Sequence, residues 1–373
     1  MQYHIIINRE ILIKPLQYLT NIIHNRTTTN IIQNIILYVQ DNGIMLLKSS
    51  NLEVEIEITI LLQNCHYKKY LIAIPGKKFY NICRSLPNKT NINMLFNDDK
   101  QVHISTTTCS FIISTMSADN FPYITPWVSE ISFAIKHIVL KQLIQCTLFS
   151  TALNDIRQYL NGILLHIEKN IVNIVSTDGY RLSLCHINMK KSFKSYKVII
   201  PRKSMVELLR ILNNTNQNIY ININTNNISF TDQNIKFTSK LINSIYPDYT
   251  QLIPIKFLKT IIINKFNFQN ALTRISILAD EHIKGVTLNI KNKKLKLITK
   301  NINNEIAEET LNIEEEYPEY KINISVNINY VLDVIAVLDS DNIKISFINA
   351  HSSIKIEDNN NTNKIYLIMP MQI

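Results

Sequence analysis

Apolar residues fall on one helical face three times over, at a constant interval. In residues 74–87 (IPGKKFYNICRSLP), Phe79, Ile82, Cys83 and Leu86 occupy positions i, i+3, i+4 and i+7, the spacing of one side of a helix. Met205, Leu208, Leu209 and Leu212 repeat that face 126 residues later, and Val331, Val334, Ile335 and Leu338 repeat it after another 126. Each of these predicted helices follows a strand-like run: YLIAIP, KVIIP and KINISVN. Three further amphipathic stretches begin at Leu12 (LIKPLQYLTNII), Val139 (VLKQLIQCTLFS) and Phe268 (FQNALTRISILA), again in matching places. Between the helices the alternation has period two, which predicts half-buried strands. ISFTDQNIKFTSKL reads as two strands turning at residues 232–234, and SIKIEDNNNTNKIYLIMP as two turning at residues 358–363. A proline closes each block: Pro122, Pro247 and Pro370.

Three tandem copies of one α+β unit account for this pattern, each with two helices and several antiparallel strands. The expected boundaries divide the chain into residues 1–129, 130–254 and 255–373. Within a copy the two helices lie about 63 residues apart, as an older duplication of a half-domain would leave them.

Composition narrows the class. Of the 373 residues, 46% are hydrophobic and 18% charged, as in a folded protein and unlike a disordered one. No apolar stretch reaches the length that spans a bilayer, and the start of the chain does not resemble a secretion signal. A cytoplasmic protein without a membrane partner is expected. The net charge of +10 favours a polyanionic partner. Asn, Ile and Lys, whose codons are AT-rich, are used heavily throughout, so part of that charge is compositional drift of the kind seen in reduced genomes.

The sequence offers no catalytic constellation. It lacks phosphate-cradling, dinucleotide-binding and nucleophile-elbow motifs. Cys65, Cys83, Cys109, Cys146 and Cys185 form no C-x-x-C pair, and their odd number does not fit a disulfide framework. Cys65-His66 and Cys185-His186 have no second pair at metal-ligand spacing. His103, His166 and His186 lie in strand-like segments, and Asp155 and Asp178 have no acid or base partner nearby in sequence. The expectation is a non-enzymatic protein without cofactor or metal.

Charge repeats along with the helices. Lys77 and Arg84 are two turns apart on one face, and Lys203 and Arg210 stand 126 residues further on. Lys14, Lys141 and Arg274 sit in the other helices, whereas the third copy carries Asn329 and Ala336 where Lys203 and Arg210 would stand. A recurring basic face suits phosphates contacted without base readout.

Three stretches resemble the bacterial DNA polymerase III beta subunit, the sliding clamp family: DIRQYLNG (155–162), STDGYRL (176–182) and FTSKLINSIYPDY (237–249). MSADNFP and the C-terminal YLIMPMQI fit the same family, as do the helix segments around Phe79 and Val331. The resemblance implies three domains, each a helix pair backed by antiparallel sheets, and two chains closed head to tail around duplex DNA. It implies DNA contacts at Arg26, Lys77, Lys78, Arg84, Asn154, Arg202, Lys203 and Arg210. It implies a dimer interface joining Phe111 and Ile113 to Ile277 and Leu278 of the other chain. It further implies a pocket for partner peptides made by Arg157, Tyr159, Leu160, Thr177, Gly179, Tyr180, Arg181, Leu182, Pro247, Leu252, Tyr330, Ser353, Leu367, Met369, Pro370 and Met371. The expected partners are the polymerase III alpha subunit and the clamp loader delta subunit, with mismatch repair proteins and DNA ligase as further candidates. Gln158, Gln251 and Gln372 depart from the aromatic or basic residues common in the family, and Tyr180 stands where histidine is common.

Overall fold

The computed structural model describes residues 3–23, 30–62, 69–97, 100–254, 257, 259–291, 293–315, 322–359 and 361–372. The first segment runs β1 (Tyr3–Asn8), α1 (Arg9–Asn21), β2 (Asn34–Val39), β3 (Ile44–Ser50), β4 (Val54–Leu61), β5 (Tyr70–Pro75), α2 (Gly76–Ser85), β6 (Asn91–Asn97), β7 (Gln101–Ser105) and β8 (Ser110–Ser114). The middle segment runs β9 (Ile131–Lys136), α3 (His137–Leu148), β10 (Gly162–Thr177), β11 (Arg181–Pro201), α4 (Arg202–Ile211), β12 (Asn218–Ile223), β13 (Asn227–Thr231) and β14 (Ile235–Lys240). The last runs β15 (Lys259–Asn264), α5 (Lys265–Ile275), β16 (Gly285–Lys291), β17 (Lys294–Lys300), β18 (Ile306–Asn312), β19 (Glu314–Glu315), β20 (Ile322–Asn327), α6 (Ile328–Val337), β21 (Asn342–Phe347), β22 (Ile354–Asp358) and β23 (Lys364–Ile368). A helix thus stands at each of the six places that the periodicity predicts.

Local chemistry explains where the helices begin and how their ends are satisfied. Asn8, Asn264 and Asn327 cap α1, α5 and α6, each accepting a hydrogen bond from a backbone N–H of the first turn. The buried Arg9, first residue of α1, donates Nε to the Cys83 carbonyl (2.9 Å) and Nη2 to the Arg84 carbonyl (3.0 Å). These carbonyls belong to the last turn of α2, where unpaired acceptors and the negative end of the helix dipole favour a cation. Lys265, first residue of α5, does the same for α6 through Nζ and the Leu338 carbonyl (2.8 Å). The predicted faces are buried: Phe79 and Cys83 on α2, Met205 and Leu208 on α4, and Val331, Val334 and Ile335 on α6. Ile82 and Leu209 are only half-buried.

Among the described residues the strands form four antiparallel sheets. Two of them run across segment boundaries. β4 of the first segment pairs with β14 of the middle one, from Val54–Ser239 to Ile58–Ile235. β11 of the middle segment pairs with β23 of the last, from Arg181–Ile368 to Cys185–Lys364. The chain accordingly divides into two compact units, residues 1–141 with 203–241 and residues 142–202 with 242–373. Each unit contains one sheet of seven or eight strands and one of four.

Gly162, where β10 meets Pro201 of β11, tests how tightly that ladder is packed. A Cβ there would lie 2.6 Å from the Ile200 carbonyl oxygen and 2.7 Å from Ile199 Cγ2. The oxygen is backbone and cannot rotate away. Gly162→Ala is expected to cost about 1–3 kcal/mol, seen as a lower urea midpoint at unchanged slope.

Candidate functional site

The largely apolar cavity in the second unit has a volume of about 450 Å³, and three local structures build it. The first is the turn from β10 to β11. Asp178 Oδ1 accepts from the backbone N–H groups of Tyr180 and Arg181 (3.0 Å each). Thr177 Oγ1 donates to the Arg181 carbonyl (2.6 Å) and accepts from Gly179 N (3.0 Å). Gly179 has φ +94°, a conformation that side chains rarely adopt. The turn aims Arg181, whose guanidinium donates to Asp178 (2.9 Å), Asp333 (2.6 Å) and the Phe149 carbonyl (2.6 Å), and lies 4.3 Å from the Tyr330 ring centroid.

The second structure is the loop leading into β10. The Asn161 side chain accepts from Asp155 N and donates to Asp155 O (2.8 Å each), closing the loop on itself. Asp155 then grips the Arg157 guanidinium with both oxygens (3.0 Å each). Those bonds from Arg157 hold the Asp155 carboxyl well down, at about 2. The loop carries Tyr159, packed edge-on against Tyr246 at 5.9 Å, and the buried Leu160.

The third structure is the far wall. Leu182 and Leu367 are cross-strand partners in the β11–β23 ladder, and both are buried in the floor. Pro247, Leu252, Ser353 and the half-exposed Met369 complete the rim. Tyr249 closes the back, its hydroxyl 2.8 Å from His166 Nδ1, and burial pushes its phenol up to about 12. Loss of water around His166, reinforced by the neighbouring Lys197, moves the imidazole below its ordinary value.

Twelve expected pocket residues line this cavity: Arg157, Tyr159, Leu160, Thr177, Gly179, Arg181, Leu182, Pro247, Leu252, Ser353, Leu367 and Met369. Four do not. Tyr180 points to solvent and contributes its carbonyl, which accepts from Met369 N (2.9 Å). Tyr330 lies against Arg181 and supports it rather than facing the cavity. Pro370 and Met371 follow the wall strand, and Met371 N is already bonded to the Ser325 carbonyl. Sequence reasoning missed Tyr246, Tyr249, Pro254, Ile348, His351 and Ser352 as lining residues. The aromatics flanking Pro247 in IYPDY could have flagged the first two. The loop after β21 carries no motif.

The basic candidates lie at helix ends. Lys77 and Lys78 are in the first turn of α2, and Arg202 and Lys203 in that of α4; neither turn has an acidic residue. Cations there oppose the helix dipole, so the helix itself gains nothing from them. Arg84 and Arg210 occupy the last turns, Arg84 over the Tyr80 ring (5.5 Å) and Arg210 held by Glu207 (2.8 Å). Lys78, Arg84, Lys203, Arg210 and Asn154 are exposed, while Lys77 and Arg202 are half-exposed. Arg26 lies outside the described residues. Phe111 and Ile113 sit half-buried on the edge strand β8, with Ile112 between them facing out. Ile277 is 80% exposed just past α5, beside the half-buried Leu278.

Models of the DNA polymerase III beta subunit match almost the whole chain: its N-terminal domain over residues 3–125, its central domain over 134–248 and its C-terminal domain over 250–372. The beta sliding clamp of Haemophilus influenzae is 33% identical over 367 residues, 98% of this chain and 99% of that protein. That of Buchnera aphidicola subsp. Rhopalosiphum padi is 35% identical over 365 residues, 97% and 98% respectively. Among solved structures, the Pseudomonas aeruginosa sliding clamp (DNA polymerase III subunit beta) bound to griselimycin superposes with a TM-score of 0.96 at 30% identity, covering 100% of both chains.

His166 makes the second unit sensitive to acid. Its imidazole is held below its ordinary value, so the stability it contributes is present above the unfolded-state value. That stability is lost as pH falls through the lower folded-state value. From pH 7 down to 5 the wild-type Tm should therefore fall more steeply than that of His166→Asn, as followed by scanning calorimetry.

Proposed function

The chain belongs to the DNA polymerase III beta subunit family, and from that premise we propose that it is a DNA sliding clamp, a non-catalytic factor that keeps the replicative polymerase on its template. Two chains would close head to tail into a ring, so that DNA is retained by topology rather than by tight contact. Phe111 and Ile113 of one chain would meet Ile277 and Leu278 of the other. The exposure of Ile277 supports this, because an apolar side chain gains about 1.5–3 kcal/mol when fully covered. The three domains would span residues 1–129, 130–254 and 255–373, and the chain would act in the cytoplasm. No helix among the described residues is long and apolar enough to cross a membrane.

The observation that carries the reading is the pocket. A mostly apolar cavity with a few fixed polar groups at its mouth is what a short peptide with leucine and aromatic anchors requires. Its occupants would be segments of the polymerase III alpha subunit and the clamp loader delta subunit, with mismatch repair proteins and DNA ligase as further candidates. One groove cannot hold two of them, so they would bind in competition. The basic residues at the ends of α2 and α4, with Arg26 and Asn154, would meet the phosphates of the encircled duplex. The placement of Lys77, Lys78, Arg202 and Lys203 in first turns, against the helix dipole, supports a role directed outward.

Two measurements test this reading. A fluorescent peptide with a glutamine, a following leucine and a terminal leucine-phenylalanine pair should bind the wild type. Leu182→Ala with Met369→Ala should weaken it about thirtyfold or more and leave the dimer intact by light scattering. Unchanged affinity in the intact variant places the partners elsewhere. The protein should also stay on nicked circular DNA and leave linear DNA. Lys203→Glu with Arg210→Glu should shorten retention about equally on unrelated sequences and flatten its salt dependence. Strong discrimination between sequences contradicts the proposal.

A further inference from the structure

Away from the pocket, the β10–β11 ladder loses its regular register. Ile167 pairs with Tyr196, Lys169 with Phe193 and Ile171 with Asn188. Residues 189–192 of β11 therefore stand against Asn170 alone and bulge from the strand. Lys169, Lys190, Lys191, Lys194 and Lys197 cluster there, all exposed, and Glu168 is the single carboxylate on these stretches of the two strands. Like charges gathered on a bulge repel one another and contribute nothing to the strand that carries them. The cluster is also continuous with the pocket. Lys197 pairs across the ladder with His166, and His166 is bonded to Tyr249, which forms the back of the cavity.

We propose that this lysine-rich bulge is a docking strip for an acidic, extended segment flanking the peptide held in the pocket. The proposal rests on the pocket being a peptide site. At about 3.3 Å per residue, the strand from Lys197 to Lys191 spans roughly 20 Å, the reach of about six residues of extended peptide. Ammonium groups on flexible stems accept carboxylates in many geometries, so the strip would select for charge rather than for sequence. Single-stranded nucleic acid fits less well. It needs open aromatic faces, whereas Phe193 and Tyr196 are half-buried and the Lys191 ammonium sits 5.7 Å from the Phe193 ring centroid.

The test is a titration with three fluorescent peptides: the minimal pocket peptide, and the same peptide with six Asp and Glu residues added at one end or the other. One extended peptide should bind the wild type about 5–20-fold tighter than the minimal one at about 20 mM salt, and that gain should shrink at about 300 mM. The gain should disappear in Lys190→Glu/Lys191→Glu/Lys194→Glu and fall in the corresponding triple glutamine variant. The minimal peptide should bind all three proteins equally, which also reports that the variants are folded. The proposal is overturned if neither extension changes affinity more than twofold, or if the gain survives in both variants. It is equally overturned if a mixed-sequence single-stranded oligonucleotide, and not the acidic extension, distinguishes wild type from variant. Failure of the minimal peptide to bind the wild type removes the pocket reading itself, and this proposal with it.

Discussion

The pairing of β11 with β23 is the constraint on which the candidate site depends. Antiparallel register sets Leu182 opposite Leu367 and Arg181 opposite Ile368, so one ladder places two floor residues side by side and fixes the strand that carries Met369. A slip of one residue would turn the alternate side chains of β23 to the other face and empty the floor. The turn network around Asp178, Thr177 and Gly179 ends β10 and starts β11 at one defined residue, and the bond from Met369 N to the Tyr180 carbonyl ties the end of β23 to that turn. The β4–β14 ladder has the same role in the first unit, where it joins strands that lie far apart in sequence. The repeats are therefore fused through sheets rather than strung together as independent modules.

Most of the architecture was legible because it follows from short-range rules. Each helix buries a face visible in the sequence, and three helices begin at an asparagine whose side chain caps the first turn. The pocket was legible only in part, for a physical reason. DIRQYLNG and STDGYRL are turns whose backbone hydrogen bonds close locally, and their expected residues line the cavity, with Tyr180 the exception. Tyr330 and Met371 depend on long-range packing. Arg181 reaches across to Asp333 and stacks on Tyr330, which takes that ring out of the cavity wall. Ile348, His351 and Ser352 are brought in by the fold of the last sheet alone, and no local pattern announces them.

The positive charge of the chain divides into two populations that composition could not separate. Arg9 and Lys265 are bound to helix-end carbonyls, Arg181 is wedged between two aspartates, and Lys48 sits between Glu55 and Glu57. These cations hold the fold together. Lys78, Lys203 and the lysines of the β11 bulge are exposed and stand where neither helix nor strand benefits from them. The net +10 thus understates how unevenly charge is placed.

The pocket also has an order of assembly. Its near wall is complete once Leu182 has been made, but the opposite wall waits for Leu367 and Met369. At about 5–20 residues per second, that interval on the ribosome lasts roughly 10–40 s. Throughout it Leu160 and Leu182 have no far side to close against, and Tyr246 and Tyr249 join them once they have been made. The same apolar floor that would receive a partner's peptide is, on the nascent chain, a patch for chaperones to shield.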